Sequence, residues 1–509
     1  MLSLIQWTII YAFIYSSILF YLLLKNEKYR NKCKINFPLK LYFHDFMIGI
    51  VLFYLPICLY ITFNIYSYPN PDTYGYVIAS YLEPWDSMPI DPFYKKFPIY
   101  IILNKFISFF TGLNYQLSIR LLHCSSLLLV FLGPILLIRS LNNENIFKVP
   151  FLMIYASTFI TTIYLYSYFN IIIPQIFGIW LIILMFYMLY RDMIIPFIFF
   201  SILALIHFSI IPLFLIFFLF QLIFKRLLMP DRLNKTKVVG VQKSLIALLI
   251  PFIVHFIYSI HYYGARSLLP YVEYYLRIFY DIFSRPEYAG LTLITASTGI
   301  QRQFPFLSAL ATGSFLSILF TGFVLFILKK ERYSHVAIAL MILGALLTAI
   351  GISRYYITIY IPSMSVARYV NVPGFYFLSI FAAYTLNKIF NKRFCKNVYY
   401  FTFIILSVGV VASFFDPLTF PFKPSVEDSV YSQIISRLYD LSTYSVSFLT
   451  EKDNYYLGPQ LAYWTFLEQK RLPHFSHTID AFPDKMYINI IFSMKTHNIY
   501  SAENIVILS

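Results

Sequence analysis

Carboxylates are concentrated in one short polar stretch near the start of this otherwise apolar chain. Residues 68–88 read YPNPDTYGYVIASYLEPWDSM, and this region carries Asp72, Glu83, Asp86 and then Asp91 among Tyr, Pro and Trp. A carboxylate can take a proton from an attacking nucleophile, so the stretch is a candidate catalytic loop. Asp72 also occupies the position of an ordinary helix cap, after two prolines and before TYGYV. The pattern therefore leaves two interpretations of Asp72 open, a catalytic base and a cap.

Two arginines lie on either side of a later polar loop. Arg354 and Arg368 belong to GISRYYITIYIPSMSVARYVNVPGFYF, which joins two apolar segments. The planar guanidinium group matches a phosphate in a bidentate geometry, so either side chain could hold a phosphate anion. An arginine at the end of a membrane helix also reaches toward lipid headgroups without binding any ligand. Both interpretations stay open for both residues.

Uncharged polar groups and one tryptophan complete the candidate site. Asn170 and Gln175 in YLYSYFNIIIPQIFG could bind the hydroxyl groups of a ligand or lend carbonyl oxygens to a metal, although a corner between two helices requires neither role. His207 begins the segment HFSIIPLFLIF, where a lone histidine is often only a hydrogen-bonded structural residue. Trp85, beside Asp86, could stack on the ring of a ligand, and an interfacial aromatic belt explains it equally well.

The composition indicates which elements must position these residues. Of the 509 residues, 59% are hydrophobic and only 12% are charged, whereas soluble domains carry about 25% charged residues. Apolar runs near the length needed to cross a bilayer recur about 12 times. They lie near 2–24, 43–66, 117–138, 150–168, 174–190, 194–207, 208–224, 244–262, 306–328, 335–351, 366–387 and 398–415. The sixth and seventh runs abut each other, and one of them could be re-entrant. The sequence predicts an all-α polytopic membrane protein.

The basic residues predict the orientation of the chain. They are concentrated in alternate loops, near 25–40, 139–148, 225–243, 329–332 and 388–396. This positive-inside pattern explains the net charge of +16 without a nucleic-acid partner. It predicts a multi-pass protein of the cell membrane with the N-terminus, the Asp72 loop and the C-terminal tail outside. At that boundary a carboxylate such as Asp72 is costly unless it is paired or used.

Three segments outside the spans share the external side. The loops at about 67–116 and 263–305 contain helical patterns too short or too interrupted to span, as expected for helices lying in the interface. The tail from about 416 is richer in acids than in bases. Its segment YSVSFLTEKD alternates like a strand, and GPQLAYWTFLEQKR has a helical pattern. The sequence thus predicts a transmembrane domain over 1–415 and a small α+β extracytoplasmic domain over 416–509.

The order of these features resembles the GT-C class of integral membrane glycosyltransferases. The shared features are an acid at the start of the first large external loop, the aromatic helix PDTYGYVIASYLEPW after it, and a second amphipathic helix. His207 and Ser209 are similar to a His-x-Ser/Thr feature of that class, and the ARY at Arg368 resembles its carrier-binding arginine. The class includes protein mannosyltransferases, aminoarabinose transferases and oligosaccharyltransferases.

The resemblance implies a transfer reaction outside the cytoplasm. The donor would be a sugar on a polyprenyl phosphate or pyrophosphate carrier, and the acceptor a protein, lipid or glycan. Asp72 matches the first-loop acid, which serves as base for the acceptor or helps to hold a divalent metal such as Mg or Mn. Arg368, with Arg354, would bind the carrier phosphate. The later external turn around Asn170 lacks the acid found in many members, so the metal stays open.

Other functions are left as alternatives or lack sequence support. A membrane polymerase or ligase of lipid-linked glycans would depend on arginine-rich loops and tolerate loss of Asp72. A transporter or flippase of lipid-linked glycans would place charges near the middle of its spans. The chain has no phosphate-binding GxxxxGK[ST] loop, no GxGxxG and no CxxC pair. Its four cysteines form no recognisable disulfide framework.

Overall fold

The computed structural model describes part of the chain. The described residues are 71–82, 98–142, 172, 174–207, 210–228, 335–356 and 372–385, scattered positions within 10–21, 249–261 and 320–324, and five strands between 445 and 508. The chain divides into two compact units, and each is considered by itself. Unit 1 comprises Met1–Tyr60, Cys124–Asn170 and Pro174–Pro421, and unit 2 comprises Ile61–His123, Ile171–Ile173 and Phe422–Ser509.

Helix α4 is the centre of unit 1. It spans Pro174–Tyr190. The helices before it in the chain are α1 (Pro71–Tyr81) and α2 (Ile99–Thr111), which belong to unit 2, and α3 (Tyr115–Asn142), which begins in unit 2 and continues in unit 1 from Cys124. Every residue of α4 from Pro174 to Phe186 is buried. A helix that is apolar on all faces is stable only when neighbours cover all of them, which accounts for its central place. On one side Gly133 of α3 brings the two backbones close, since a methyl group there would lie 3.3 Å from the Leu184 nitrogen.

Helices α5 (Ile194–Ala204) and α6 (Ile210–Leu228) follow α4 through tight turns. Asp192 adopts a left-handed conformation at φ 60°, and the Met193 N–H donates to the Met188 carbonyl at 2.9 Å, so the chain reverses directly after α4. With 11 residues, α5 is about 16 Å long, roughly half the hydrocarbon thickness of a bilayer. Phe217 of α6 packs against Phe186 of α4, with ring centroids 4.8 Å apart.

Helices α7 (His335–Tyr356) and α8 (Val372–Thr385) pack through glycine. A methyl group on Gly374 would lie 2.6 Å from Thr348 Oγ1, and one on Gly344 would lie 3.0 Å from the Leu378 nitrogen. Only small residues permit two helix backbones to approach so closely. All of α8 is buried, and its Tyr376 ring packs edge-on against Trp180 of α4 at 5.0 Å. This places α8 beside the central helix.

In unit 2, α1 and α2 form a packed pair ahead of α3. Helix α2 ends at Gly112, which has φ +70° and whose N–H donates to the Ser108 carbonyl. Helix α3 begins immediately afterwards, where the Asn114 side-chain oxygen accepts the Leu117 N–H at 2.9 Å. Glycine and asparagine thus end one helix and start the next within a few residues.

The strands described near the C-terminus form a mixed sheet. They are β1 (Ser445–Leu449), β2 (His474–Ser476), β3 (Tyr487–Phe492), β4 (Tyr500–Ala502) and β5 (Ile505–Leu508), in the order β2-β1-β3-β5-β4. The β1–β2, β1–β3 and β3–β5 pairs are parallel, and β4–β5 is antiparallel. Strand β1 lies inside the segment YSVSFLTEKD. The α+β class and external location of the tail stay predictions.

Two described helices are long and apolar enough to cross a membrane. They cover Tyr115–Ile138 and Ile210–Leu227, where spans were predicted near 117–138 and 208–224. Shorter apolar helices occupy the predicted segments near 174–190, 194–207, 335–351 and 366–387. The segments near 43–66, 150–168 and 398–415 lie outside the described residues, and those near 2–24, 244–262 and 306–328 are described only at scattered positions. The total of about 12 spans stays a prediction.

Candidate functional site

Asp72 lies in the first turn of α1. The helix begins at Pro71, a residue whose fixed φ suits the first helical position. The first turn of a helix presents N–H groups without intrahelical partners and the positive end of the helix dipole, so a carboxylate there is favoured. The predicted helix is confirmed, and its start is compatible with Asp72 as a cap and with Asp72 as a base held at a helix end.

Buried polar and aromatic contacts hold α1 against α2. Asn104 Nδ2 donates to Ser80 Oγ at 2.9 Å, and the Ser80 hydroxyl donates to the Tyr76 carbonyl at 2.9 Å. The rings of Tyr76 and Tyr100 meet edge to face at 5.2 Å. Hydrogen bonds between buried partners hold one relative placement of two helices, because breaking them would leave polar atoms unsatisfied. The helix that carries Asp72 is therefore held firmly on α2.

A hydrogen bond links the first turn of α1 to the segment that precedes α4. Thr73 Oγ1 donates to the Ile172 carbonyl at 2.6 Å, and both residues are buried. Ile172 belongs to the polar corner on which Asn170 and Gln175 were predicted as binding residues. The hydrogen bond joins the residue next to Asp72 to Ile172 within unit 2, although the two residues are 99 positions apart in the chain.

Gln175 and His207 lie at the same end of the helices of unit 1. Gly178 lies one turn after Gln175 on α4. It is so close to the turn that precedes α6 that a methyl group on it would be 3.3 Å from Ile206 Cγ2. It would also be 2.5 Å from Ile210 Cγ1 at the start of α6. His207 lies between these two isoleucines and is buried. The turn carrying His207 is therefore about 5 Å along the α4 axis from Gln175.

The Gln175 amide is suited to binding a ligand. Its side chain is buried, and its Nε2 atom has no hydrogen-bond partner among the described residues. Leaving a buried donor unsatisfied costs about 1–3 kcal/mol. A hydroxyl or phosphate oxygen that accepts a hydrogen bond from Nε2 would recover that free energy.

Sequence reasoning missed a polar stripe on α3. Gln116, Arg120 and His123 recur at four- and three-residue spacing and therefore share one face of the helix. Arg120 and His123 are buried, within the stretch long and apolar enough to span a membrane. The spacing alone could have identified the stripe, but averaging hydropathy over the whole span conceals a single arginine.

Of the remaining candidate residues, only Arg354 lies in a described helix. Arg354 lies in the last turn of α7, which extends to Tyr356, beyond the predicted span end near 351. A cation there is favoured by the negative end of the helix dipole. Trp85, Asp86, Asn170 and Arg368 lie outside the described residues. Their roles stay predictions.

Neither a metal-binding cluster in the described ranges nor similarity to a known protein indicates a function for this chain. Within the described ranges, no group of three or more His, Cys, Asp or Glu is placed to hold a metal ion. No protein-family model matches the chain, and no curated protein matches its sequence significantly.

Proposed function

We propose that this chain is a membrane glycosyltransferase of GT-C type that moves a sugar from a polyprenyl-phosphate-linked donor to an acceptor on the external face. One observation carries the proposal. Helix α1, with Asp72 in its first turn, is held by Thr73 on the Ile172 carbonyl and packs on a second short helix directly before a helix of membrane-crossing length. This is the arrangement expected of a first external loop that presents an acid.

In the proposed reaction Asp72 acts as the base. Its carboxylate takes the proton of the acceptor nucleophile as the nucleophile bonds to the anomeric carbon of the sugar. The bond between that carbon and the phosphate oxygen of the carrier breaks, and the polyprenyl phosphate or pyrophosphate leaves with the electron pair. Arg368 and Arg354 stabilise the leaving phosphate through charge-assisted hydrogen bonds.

The buried amide and imidazole would orient the sugar. Gln175 offers an Nε2 donor without a partner in the described part of the protein, and His207 lies buried in the turn about 5 Å away along the helix axis. Buried groups of this kind discriminate strongly in favour of substrates with hydroxyl groups. A substrate without those hydroxyls would leave the buried polar groups without hydrogen-bond partners. Asn170, Trp85 and Asp86 are proposed as further substrate-binding residues.

The test is transfer of radiolabelled sugar from a panel of polyprenyl phosphate and pyrophosphate donors. Membranes would contain the wild-type chain, Asp72→Asn, Arg368→Ala, or the control Asp192→Asn. Asp192 is an exposed acid in the turn after α4, so its loss removes one carboxylate without touching the proposed site. We expect Asp72→Asn to lower transfer by about 100-fold or more, the scale of general-base catalysis, and Asp192→Asn to retain it.

The other outcomes would select different functions. Transfer that persists in folded Asp72→Asn would reduce Asp72 to a helix cap and favour the polymerase or ligase alternative. Label that crosses the membrane still attached to its carrier, with no transfer from any donor, would favour a flippase.

A further inference from the structure

A buried basic pair on α3 is not used by the proposed reaction. Arg120 is 2% exposed and His123 is 0% exposed, and both lie on the face that also carries half-buried Gln116. Leu121, Leu128 and Leu132 are 41–45% exposed and lie about 130° around the helix axis from this stripe. Helix α3 therefore has an outer face of leucines and an inner face of hydrogen-bond donors. The reverse distribution would be expected of a helix in water.

The depth of the pair argues against headgroup contact as its role. Arg120 and His123 lie about 8 and 12 Å along the axis from Tyr115, where the membrane-crossing stretch begins. An arginine that extends to lipid headgroups keeps its guanidinium at the helix end and in contact with solvent. Arg120 is instead enclosed by protein. Ionisable residues inside a span generally face the protein interior and mark a pathway or a binding site.

The chemistry of the pair selects an anion. Arginine offers five N–H donors in a planar fork, and histidine adds a ring N–H, so the pair can surround a phosphate from one side. The ring of Tyr115 at the start of α3 packs on Tyr81 at the end of α1, with centroids 4.8 Å apart. The stripe is thereby tied to the helix that carries Asp72.

From this placement we infer that Arg120 and His123 bind the phosphate of the lipid carrier. The inference rests on the proposed function, and it places a phosphate-binding pair of unit 2 inside the predicted membrane span. The leucine face of the same helix is exposed and apolar, so a polyprenyl chain can lie along α3 while its phosphate turns to the inner face.

The experiment measures binding with the full chain in lipid nanodiscs. The probes are a long-chain polyprenyl phosphate, the matching polyprenol without phosphate, and phosphatidic acid. The variants are Arg120→Gln, Arg120→Lys and His123→Gln, with Arg191→Gln as control because Arg191 is an exposed arginine in the turn after α4. Thermal unfolding establishes that each variant is folded.

We expect Arg120→Gln to raise the Kd for polyprenyl phosphate by about 10- to 100-fold and His123→Gln by about 3- to 10-fold. Arg120→Lys should raise it less than Arg120→Gln, because it keeps the charge and loses the fork. Polyprenol should bind weakly to all variants, and Arg191→Gln should match the wild type. In sugar transfer, Arg120→Gln should raise the KM for the donor.

Several results would overturn the inference. An unchanged Kd in folded Arg120→Gln would refute it while leaving glycosyl transfer intact. An equal loss of phosphatidic acid binding would assign the pair to lipid headgroups. Unfolding of all three variants would show a structural role. If the wild-type chain bound no polyprenyl phosphate and transferred no sugar, the proposed function would fail as well.

Discussion

The substitution Gly374→Ala tests how closely α7 and α8 pack. The added methyl carbon would lie 2.6 Å from Thr348 Oγ1, 2.8 Å from the Thr348 backbone nitrogen and 3.1 Å from Leu347 Cβ. The hydroxyl can rotate away, but the nitrogen belongs to the backbone of α7. The methyl group can therefore be accommodated only if the two helices separate.

The expected loss of stability follows from two opposing effects. Overpacking a well-packed site costs about 1–3 kcal/mol. Replacing glycine by alanine within a helix returns up to about 1 kcal/mol. The net change is a loss of about 1–2 kcal/mol in the free energy of unfolding, which for a chain of 509 residues corresponds to a Tm lower by about 1–2 °C.

The assay is thermal unfolding of the purified protein in one detergent, with Gly178→Ala as the matched control. A methyl group on Gly178 would also be too close to a neighbour, at 2.5 and 2.8 Å, but the atoms it meets are Cγ1 and Cδ1 of the Ile210 side chain. A side chain can change rotamer, so Gly178→Ala should cost less than Gly374→Ala.

A second comparison separates the hydroxyl from the backbone. In Gly374→Ala combined with Thr348→Ala, the hydroxyl contact is gone and the contact with the nitrogen at 2.8 Å persists. We expect this double variant to recover only part of the lost stability. Wild-type stability of Gly374→Ala, together with a clear loss in Gly178→Ala, would refute the reasoning about backbone contact between α7 and α8.

Three further substitutions test other buried and exposed groups. Thr348→Val should raise the free energy of unfolding by about 1 kcal/mol, because the buried Thr348 hydroxyl has no hydrogen-bond partner in the described part of the chain; a lower Tm would contradict this. Thr73→Val should lower stability by about 1–3 kcal/mol by leaving the buried Ile172 carbonyl without its donor, and it should reduce sugar transfer; unchanged transfer would show that this bond does not support the site. Phe109 on α2 is 82% exposed, so the added fluorescence of Phe109→Trp should be quenched by brominated phospholipids in nanodiscs; quenching by aqueous iodide instead would argue against an interfacial helix.

Sequence patterns predicted the helices well where local chemistry sets their ends. The apolar segment near 174–190 is helical, as predicted: it is α4, which starts at Pro174 and ends before the left-handed Asp192. The helix predicted at TYGYVIASYLEPW is present as α1, which covers Pro71–Tyr81, and its interfacial location stays a prediction. Proline, glycine and asparagine act on adjacent residues, so their effects can be read from a short stretch of sequence.

The candidate site was predicted only in part. The sequence identified Gln175 and His207 by residue type, but it did not show that both are buried at the same end of the helices around α4. It also missed Arg120 and His123, because average hydropathy does not report which face of a span a charged residue occupies.

The sequence by itself determined that the chain is apolar and strongly basic, and local patterns were enough to predict most of the helices that the structure describes. A helix satisfies its backbone hydrogen bonds within its own segment, so local composition is enough to specify it. Only the tertiary structure decided that Thr73 bonds to Ile172, that Gly374 contacts Thr348 and that the inner face of α3 carries Arg120. Such contacts join residues far apart in the chain, and they depend on how whole helices pack their side chains against one another.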